Sequence, residues 1–297
     1  FKQKTAYEIG VRLVGSEMCI RDRSDANQLI EYKGKKMDAS MWIAKTGLSA
    51  QSTRMSVIAN NLANVNTVGF KKDRANFEDL LYQRIVQAGA QADVLAQTPT
   101  GLMLGTGSRV VSTEKIHRQG NMVSTENALD LAISGDGFFA IQQADGTIAY
   151  TRDGSFKRSN LGALVTASGQ TTIPAINLPQ QAISIAVGRD GTVTAELAAG
   201  GGAVQVGQLQ ITRFVNPAGL RAMGRNLYAE SNASGPAIVG IPGDQGAGMI
   251  TQGSLEQSNV NVVEEMVNMI ETQRAYEINS KAISAADGML RFLNQNL

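Results

Sequence analysis

The sequence predicts an α+β fold, in which long N- and C-terminal helices pack together in a coiled-coil-like manner around an extended arm and an all-β middle domain. Three observations predict it. Apolar residues recur every seven positions near the beginning of the chain, and they do so again at its end. Between these ends, short alternating apolar segments are separated by Asp-Gly turns. A heptad repeat is typical of helices packed on other helices, and alternation of period two is typical of strands.

Residues 1–36 have no clean helical or strand period, and the chain opens on Phe1. Their segment YEIGVRLVGSEMCIRDR resembles a translated sequencing adapter, so we expect a non-native or disordered extension with the true start at Met37. The alternative is a genuine, weakly structured extension. Cys19 lies in this segment and is the only cysteine, which excludes an intramolecular disulfide.

An N-terminal helix followed by an Asn-rich turn is predicted at residues 37–72. Asp38 is suited to cap the helix, and an apolar row with a seven-residue repeat continues behind it. We expect this row to pack against other helices, because an isolated helix leaves such a row in water. Its residues are Met41, Leu48, Met55 and Leu62, and Ile58 falls on the adjoining row.

The helix is followed by the segment NNLANVNTVGFKK, which carries no Cys, His, Asp or Glu. Short amide side chains can cap a helix, satisfy a turn and tolerate left-handed backbone. We therefore expect the segment to turn the chain from the helix into the extended arm that follows it. Gly69 is expected to be the residue whose φ and ψ angles are least restricted, and Phe70 is expected to pack behind it. The residues of this turn are Asn60, Asn61, Asn64, Asn66, Gly69 and Phe70.

A second helix is predicted at residues 258–297, beginning with an Asn-x-x-Glu capping box formed by Asn261 and Glu264. It is far longer than the mean helix of globular proteins. Its polar residues Gln273, Asn279 and Ser280 interrupt the apolar rows. The apolar rows are formed by Val262, Met266, Met269, Tyr276, Ile283 and Leu290.

The chain between the two helices divides into three predicted segments. Residues 73–134 form an extended arm with an insertion at about 86–106, residues 135–225 form the all-β middle domain, and residues 226–257 form a return segment. Asp-Gly pairs at 145–146, 153–154 and 190–191 are each expected to close a hairpin. The two helical ends can meet only because the return segment brings the chain back to its origin.

Composition and motifs predict a protein without catalytic, metal or cofactor sites. The formal net charge is +1, so no basic excess attracts nucleic acid or an anionic membrane. No apolar run reaches the roughly 20 residues that a membrane helix needs, and membrane insertion is not expected. His117 is the only histidine and is expected to be a surface or strand residue. A zinc site lacks ligands, and LGTGSR lacks the third glycine of a dinucleotide loop.

Four segments resemble the rod and hook family of bacterial flagellar axial proteins. They are ANNLANVNTVGFKK near the start, SGDGFFAI and YTRDGSF in the middle, and SNVNVVEEMVNMIETQRAYEINSKAI near the end. The resemblance covers essentially all of Met37 to Leu297. It implies a non-enzymatic subunit whose helical rows are polymerisation seams between copies, within a hollow tube. The interrupting polar residues of the second helix would then line the lumen.

The resemblance also implies partners and a location. The partners are copies of the chain itself, proximal-rod and hook axial proteins, the surrounding basal-body ring proteins and the flagellar type III export apparatus. The location is the flagellar basal body, spanning the periplasm, with export that needs no cleavable signal peptide.

The stretch 86–106 distinguishes members within the family. It resembles an insertion specific to the distal rod, which is thought to stiffen the tube that transmits torque from motor to hook and passes exported subunits. A hook or proximal-rod protein remains an alternative, as do a soluble β-rich periplasmic binding module or enzyme and a self-contained coiled-coil adaptor. The stiffening residues are expected to be Gln87, Thr98, Leu102, Gly105 and Gly107.

Overall fold

The computed structural model describes residues 21–88, 91–93, 96–97, 100–197 and 202–295. The chain divides into two compact units. One, the terminal unit, comprises the described residues of Phe1–Ser52, Phe77–Val110 and Gln273–Leu297. The other, the β unit, comprises Thr53–Asn76 and Val111–Thr272.

Both predicted helices are confirmed, although the first begins earlier in the chain than predicted. Helix α1 spans Arg21–Ala63 and helix α2 spans Val262–Gln295. Helix α1 is already helical upstream of Asp38, which is therefore not an N-cap, and part of the expected extension is helical. Helix α2 begins as predicted, since the Asn261 Oδ1 accepts hydrogen bonds from the backbone N–H groups of its first turn at 3.0 and 3.4 Å.

The region between the helices consists of short strands, as predicted. The strands that begin before residue 140 are β1 (Asp73–Asp79), β2 (Gln83–Val86), β3 (Gln91–Asp93), β4 (Ala96–Gln97), β5 (Leu102–Leu104), β6 (Ser108–Lys115), β7 (Met122–Ser124), β8 (Leu131–Ser134) and β9 (Phe138–Gln142). They are followed by β10 (Ile148–Thr151), β11 (Lys157–Arg158), β12 (Leu164–Val165), β13 (Thr171–Ile173), β14 (Ala182–Val187), β15 (Thr192–Leu197), β16 (Ala203–Gln208), β17 (Ile211–Arg213), β18 (Arg221–Gly224), β19 (Leu227–Ala229), β20 (Ile238–Gly240), β21 (Met249–Gln252) and β22 (Ser254–Glu256).

The β unit is built on a nine-stranded sheet with β9 at its centre. Seven of its strands are hydrogen-bonded in the order β11-β12-β13-β9-β10-β19-β18. The other two are β17, which pairs with β9, and β20, which pairs with β17. Strands β14, β15 and β16 form a second sheet, and the late strands β21 and β22 pair with β8 and β7. The return segment 226–257 therefore supplies four strands, and the β structure extends on both sides of the predicted interval 135–225.

The core lies between these sheets and is apolar. Phe139 and Phe156 meet edge to face at its centre, with ring centroids 5.1 Å apart. Alternation along the strands directs every second side chain to this core, which is the reason for the period-two pattern in the sequence. The buried core residues are Leu131, Ile133, Phe139, Phe156, Leu164, Ile176, Leu178, Val193, Leu209, Ile211 and Ile250.

Two of the three predicted Asp-Gly hairpins form. Gly146 has a φ angle of 82° between β9 and β10, and Gly191 has a φ angle of 80° between β14 and β15. The prediction for Gly154 was wrong, because the next strand, β11, pairs with β12 and not with β10. Glycine is needed at position 154 for a different reason: a Cβ there would lie 1.6 Å from the carbonyl oxygen of Leu131.

The stretch expected to stiffen the polymer folds back on itself in the terminal unit. Strand β2 pairs with β5, and Leu102 and Met103 of that hairpin are 48% and 56% exposed. Gln87 and Gly105 are also exposed, whereas Thr98 lies outside the described residues. Gly107, with a φ angle of 116°, lies against the side chain of Thr46 on α1.

Truncating one core residue tests the description of the β unit. Ile211→Ala removes a fully buried side chain, and we expect it to lower the free energy of unfolding by about 2–5 kcal/mol. The matched control is Ile183→Ala, since Ile183 lies on a strand and is 72% exposed. Its effect should stay near or below 1 kcal/mol, the range of strand propensity. Urea unfolding followed by near-ultraviolet circular dichroism measures both, and equal losses would contradict the assignment.

Candidate functional site

The Asn-rich turn after α1 rests directly on the backbone of the β unit. Gly69 has a φ angle of 69°, and its N–H donates to the carbonyl oxygen of Glu256 at 2.7 Å. A Cβ on Gly69 would lie 2.8 Å from the carbonyl carbon of Arg152 and from the nitrogen of Asp153. Glycine is therefore required for its backbone conformation and also for its lack of a side chain.

The amides of the turn satisfy its backbone and side chains in sequence. The Asn64 amide donates to the Asn60 carbonyl at 2.9 Å, and the Thr67 hydroxyl donates to Asn64 Oδ1 at 3.1 Å. The Asn60 amide in turn donates to a carboxylate oxygen of Asp73 at 3.1 Å. Asn66 is exposed. The turn is thus held by side chains of its own sequence together with one carboxylate of the arm.

A buried ion cluster lies beneath this turn, formed by Lys71, Arg152 and Glu256. The three residues are each at most 4% exposed. The Lys71 Nζ lies 2.6 Å from Glu256 Oε1 and donates to the Arg118 carbonyl at 2.9 Å. The Arg152 Nε lies 3.2 Å from Glu256 Oε2. One carboxylate therefore faces two cations that come from separate parts of the sequence.

Burial dominates the titration of the two cations in the ion cluster. It lowers the pKa of Lys71, and the nearby Arg152 lowers it further, while Glu256 opposes both effects. Burial also lowers the pKa of Arg152, again against Glu256. Removing the Glu256 charge would leave two desolvated cations without a counter-ion, which is strongly unfavourable.

Asn61 ties the end of α1 to the arm and to α2. Its side chain is 1% exposed, and its Oδ1 accepts the Asp73 N–H at 2.8 Å. Its Nδ2 donates to the Asp73 carbonyl at 2.9 Å and to Glu265 Oε2 at 3.3 Å. A buried amide is suited to this place because it supplies both donors and acceptors at a point where the backbone changes direction.

Lys72 and Asn259 complete this connection at the beginning of α2. The Lys72 Nζ lies 2.8 Å from Glu264 and 2.7 Å from Glu265, so Glu264 is engaged there and not in the predicted capping box. Burial opposes the Lys72 charge, but its hydrogen bonds to these carboxylates outweigh burial and raise its pKa. The Asn259 Oδ1 accepts the Lys72 N–H at 2.7 Å, and its amide donates to two carbonyls of residues 116–118.

His117 is packed among rings and cations, which the sequence analysis did not anticipate. Its ring centroid lies 5.4 Å from that of Phe138 and 5.4 Å from that of Tyr228, in edge-on geometry. Burial, with the charges of Lys71, Arg152 and Lys115, lowers its pKa to about 4. The imidazole is therefore neutral at physiological pH.

Phe70 is buried behind Gly69, where the sequence analysis expected it. The Lys115 Nζ lies 4.9 Å from the centroid of the Phe70 ring and 2.8 Å from Asp73. The aromatic ring thus covers an ion pair of the arm and shields it from water.

The helix row that the chain itself buries is not the predicted apolar row. On α2, Glu265 and Thr272 are 1% and 0% exposed, and Ala286 is 6% exposed. The amide of Asn279 lies about 3.1 Å from the position of a Cβ on Gly47 of α1, so within this chain Asn279 contacts a helix and not an open channel. Small and polar side chains at this row allow the close approach.

The predicted apolar residues lie beside that row or away from it. In the β unit, Ile58 is 4% exposed, Met55, Leu62 and Met269 are half-buried, and Val262 and Met266 are 38% and 51% exposed. In the terminal unit, Tyr276 is 45% exposed and the half-buried residues are Met41, Leu48, Ile283 and Leu290.

The site has the chemistry of a structural joint. Its charged groups are paired with one another, and in the part of the chain that the structure describes no group of three His, Cys, Asp or Glu side chains could hold a metal. A groove of about 650 Å³ beside Lys72, Arg118 and Asn259 is lined mainly by polar groups. No helix among the described residues is long and apolar enough to cross a membrane.

The ion cluster was not predicted from the sequence, although two of its three residues lie in motifs that were singled out there. Lys71 is the first of the two lysines that close ANNLANVNTVGFKK, Arg152 lies within YTRDGSF, and both motifs carry the family resemblance. Glu256 lies outside the motifs quoted there. A buried pairing across 185 residues leaves no local pattern, so only the coincidence of charged residues within the motifs could have suggested it.

Three family models match separate parts of the chain. The model described as "Flagella basal body rod protein" matches residues 41–71. The model "Flagellar hook protein FlgE/F/G D1 domain" matches residues 132–195, and "Flagellar basal body rod FlgEFG protein C-terminal" matches residues 251–296. The first ends at Lys71 of the ion cluster, and the other two each contain one of its remaining members.

Relatives match along most of the chain. It is 54% identical over 259 residues to the flagellar basal-body rod protein FlgG of Buchnera aphidicola subsp. Schizaphis graminum, covering 87% of this chain and 100% of that one. It is 48% identical over 260 residues to the FlgG of Borreliella burgdorferi, covering 87% and 98%. The flagellar hook-basal body complex protein FlhP of Bacillus subtilis is 33% identical over 268 residues, covering 86% and 98%.

Neutralising the shared carboxylate should destabilise the β unit. Glu256→Gln leaves Lys71 and Arg152 buried without a counter-ion, and we expect the free energy of unfolding to fall by about 3–5 kcal/mol. The matched control is Glu114→Gln, which breaks an exposed pair with Arg74 and should cost about 0–1 kcal/mol. Urea denaturation at pH 7.5 compares them. Similar small losses in both variants would mean that the ion cluster does not support the fold.

His117 should make stability depend on pH in a defined window. Its folded pKa of about 4 lies below the ordinary 6.5, so its contribution is complete above pH 6.5 and is lost as the pH falls towards 4. Between pH 7.5 and 5.5 the loss is about 1.3 kcal/mol. Besides the three cations, the rings of Phe138 and Tyr228 and the carboxylate of Asp136 face this region.

The His117→Gln variant isolates this contribution, because the carboxylates of the chain titrate alike in both proteins. We expect its free energy of unfolding to change less than that of the unmodified chain between pH 7.5 and 5.5, by the amount given above. The single imidazole also gives one resolvable NMR titration. An imidazole that titrates near pH 6.5 in the folded chain would refute the half-buried, neutral state.

Proposed function

The chain belongs to the flagellar basal-body rod protein family, and on this premise we propose that it is a structural subunit of the flagellar rod in its distal section. Copies of the chain polymerise into a stiff hollow tube, which transmits torque from the motor to the hook and passes exported subunits. The role needs shape and contacts and no catalysis.

An exposed apolar face on α2 is the observation that supports self-assembly most directly. Val263, Met266, Val267 and Ile270 are 70%, 51%, 50% and 49% exposed. Their spacing of three and four residues places them on one side of the helix, opposite Glu265 and Thr272. Burying each side chain stabilises a contact by ~1.5–3 kcal/mol, so this face alone offers roughly 6–12 kcal/mol before entropy is counted.

The exposed hairpin of β2 and β5 supports the distal section over the hook. Leu81 is 90% exposed and Tyr82 is 58% exposed beside it, and Leu102 to Leu104 are exposed on the opposite strand. An apolar hairpin inserted between neighbouring copies adds lateral contacts, and such contacts resist bending. The residues proposed for stiffening lie in or next to this hairpin, apart from Thr98, which the structure does not describe.

The ion cluster and Asn61 give the subunit a firm joint. Asn61 on α1, Glu265 on α2 and Glu256 on β22 are all buried within the β unit. Force applied to either helix end is therefore passed to the sheet through short hydrogen bonds and ion pairs, and not through a flexible loop. This suits a protein whose function is to transmit torque.

The remaining partners and the location follow from the family. We propose contacts with proximal-rod and hook axial proteins and with the surrounding basal-body ring proteins. We also propose that export proceeds through the flagellar type III apparatus and that the assembled rod spans the periplasm.

A single substitution on the exposed face of α2 tests the proposal. Ile270→Gln removes about 1.5–3 kcal/mol of contact energy, so the critical concentration for polymerisation should rise at least tenfold. The matched control is Ile183→Gln, which changes an isoleucine of β14 that is 72% exposed, compared with 49% for Ile270. Sedimentation and negative-stain electron microscopy measure tube formation, and circular dichroism confirms that both monomers stay folded. Straight tubes at an unchanged critical concentration would argue against this face as a seam.

A further inference from the structure

A small cavity lies beside the ion cluster, inside the β unit. Its volume is about 70 Å³. A cavity needs roughly 10–15 Å³ to hold one water-sized body, so this one has room for a small ion and its contacts. It is lined by His117, Asp136, Gly137, Phe138, Arg152 and Arg213, with Phe214 and Pro217.

The charges around the cavity do not balance. Lys71 and Arg152 are buried and share the single carboxylate of Glu256. Arg213, which is half-buried, adds a third cation at the cavity wall. The carboxylate of Asp136 also lines the cavity and attracts Lys71 and Arg152, but it is exposed, so water screens part of its charge. The desolvated part of the site therefore carries an excess positive charge, which a buried site normally compensates.

Arg152 has one donor nitrogen left over at this cavity. Its Nε faces Glu256 and its Nη2 donates to the Gly135 carbonyl at 2.7 Å. Its Nη1 is buried and has no hydrogen-bond partner among the described residues. The side chain is 3% exposed, so bulk water does not serve as the partner. The Nδ1 of His117 is a second buried atom without a partner in the described part of the chain.

We propose that this cavity binds a small monovalent inorganic anion of halide size, held between the guanidinium groups of Arg152 and Arg213. Such an anion accepts a hydrogen bond from the free Nη1–H and also compensates the excess positive charge. A water molecule accepts the hydrogen bond but carries no compensating charge. The Asp136 carboxylate on the same wall disfavours doubly charged anions. The site is distinct from the polymerisation surfaces, and it does not depend on the proposed function.

Anion binding would act on the joint through Arg152. The backbone of Arg152 carries the Asn-rich turn at Gly69, and its side chain contacts Glu256 of β22. An anion on Nη1 therefore fixes the residue on which both segments rest. It also favours protonation of His117, because an added negative charge offsets the surrounding cations.

The test exchanges sodium gluconate for sodium bromide with the full-length chain kept below its critical concentration. At constant sodium concentration and pH 7.5, bromide at ten times its dissociation constant should raise the folding equilibrium constant about tenfold. Arg213→Gln should lose most of this response. The matched control Arg221→Gln removes an exposed arginine of β18 and should keep it.

Two spectroscopic measurements on the unmodified chain accompany the unfolding data. The ³⁵Cl linewidth of chloride should show a saturable excess that bromide displaces, and bromide should raise the pKa of the single histidine. Equal bromide responses in all three proteins, or no saturable linewidth, would overturn the proposal and leave ordered water as the occupant. A saturable linewidth without the Arg213-dependent gain in stability would mean an adventitious ion only. That result also rejects the site.

Discussion

The buried carboxylate of Glu256 is the group on which the rest of the β unit depends. It receives Lys71 from the turn after α1 and Arg152 from the end of β10, while its own backbone carbonyl accepts the N–H of Gly69. Because all of these bonds converge on one residue of the last strand, the register of β22 and the path of the turn are fixed together. Helix α2 begins a few residues after β22, so the position of β22 also determines where α2 begins.

Much of the fold was predictable because its signals are local. Heptad repeats of apolar residues predict the two helices. Asp-Gly pairs between segments of alternating polarity predict the hairpins at Gly146 and Gly191. Gly154 was misjudged because its dipeptide looks the same, although its glycine is required by a close approach of Leu131 from elsewhere in the chain. The start of α1 was misplaced since a cap residue such as Asp38 does not prevent a helix from continuing upstream.

Of the candidate site, the Asn-rich turn could be predicted from the sequence, whereas the ion cluster beneath it could not. The positive φ angle of Gly69 follows from chemistry within a few residues, whereas the ion cluster and the packing of His117 arise from pairing across the whole chain. The helix rows show a related limit. Apolar periodicity identifies a helix face that is expected to be buried, but it does not identify the partner that buries it. In this chain Glu265 and Thr272 are buried, whereas Met266 is exposed.

The long sequence separation of the Lys71–Glu256 pair has a consequence for biosynthesis. While the ribosome is still adding the last part of the chain, the lysine and arginine that Glu256 neutralises have already emerged and have no counter-ion. Closing the β unit around two unpaired cations is unfavourable, so we expect this part of the nascent polypeptide to stay open until Glu256 has also emerged. A chain whose compaction is delayed in this way stays unfolded for longer, which would suit the export route that we propose for it.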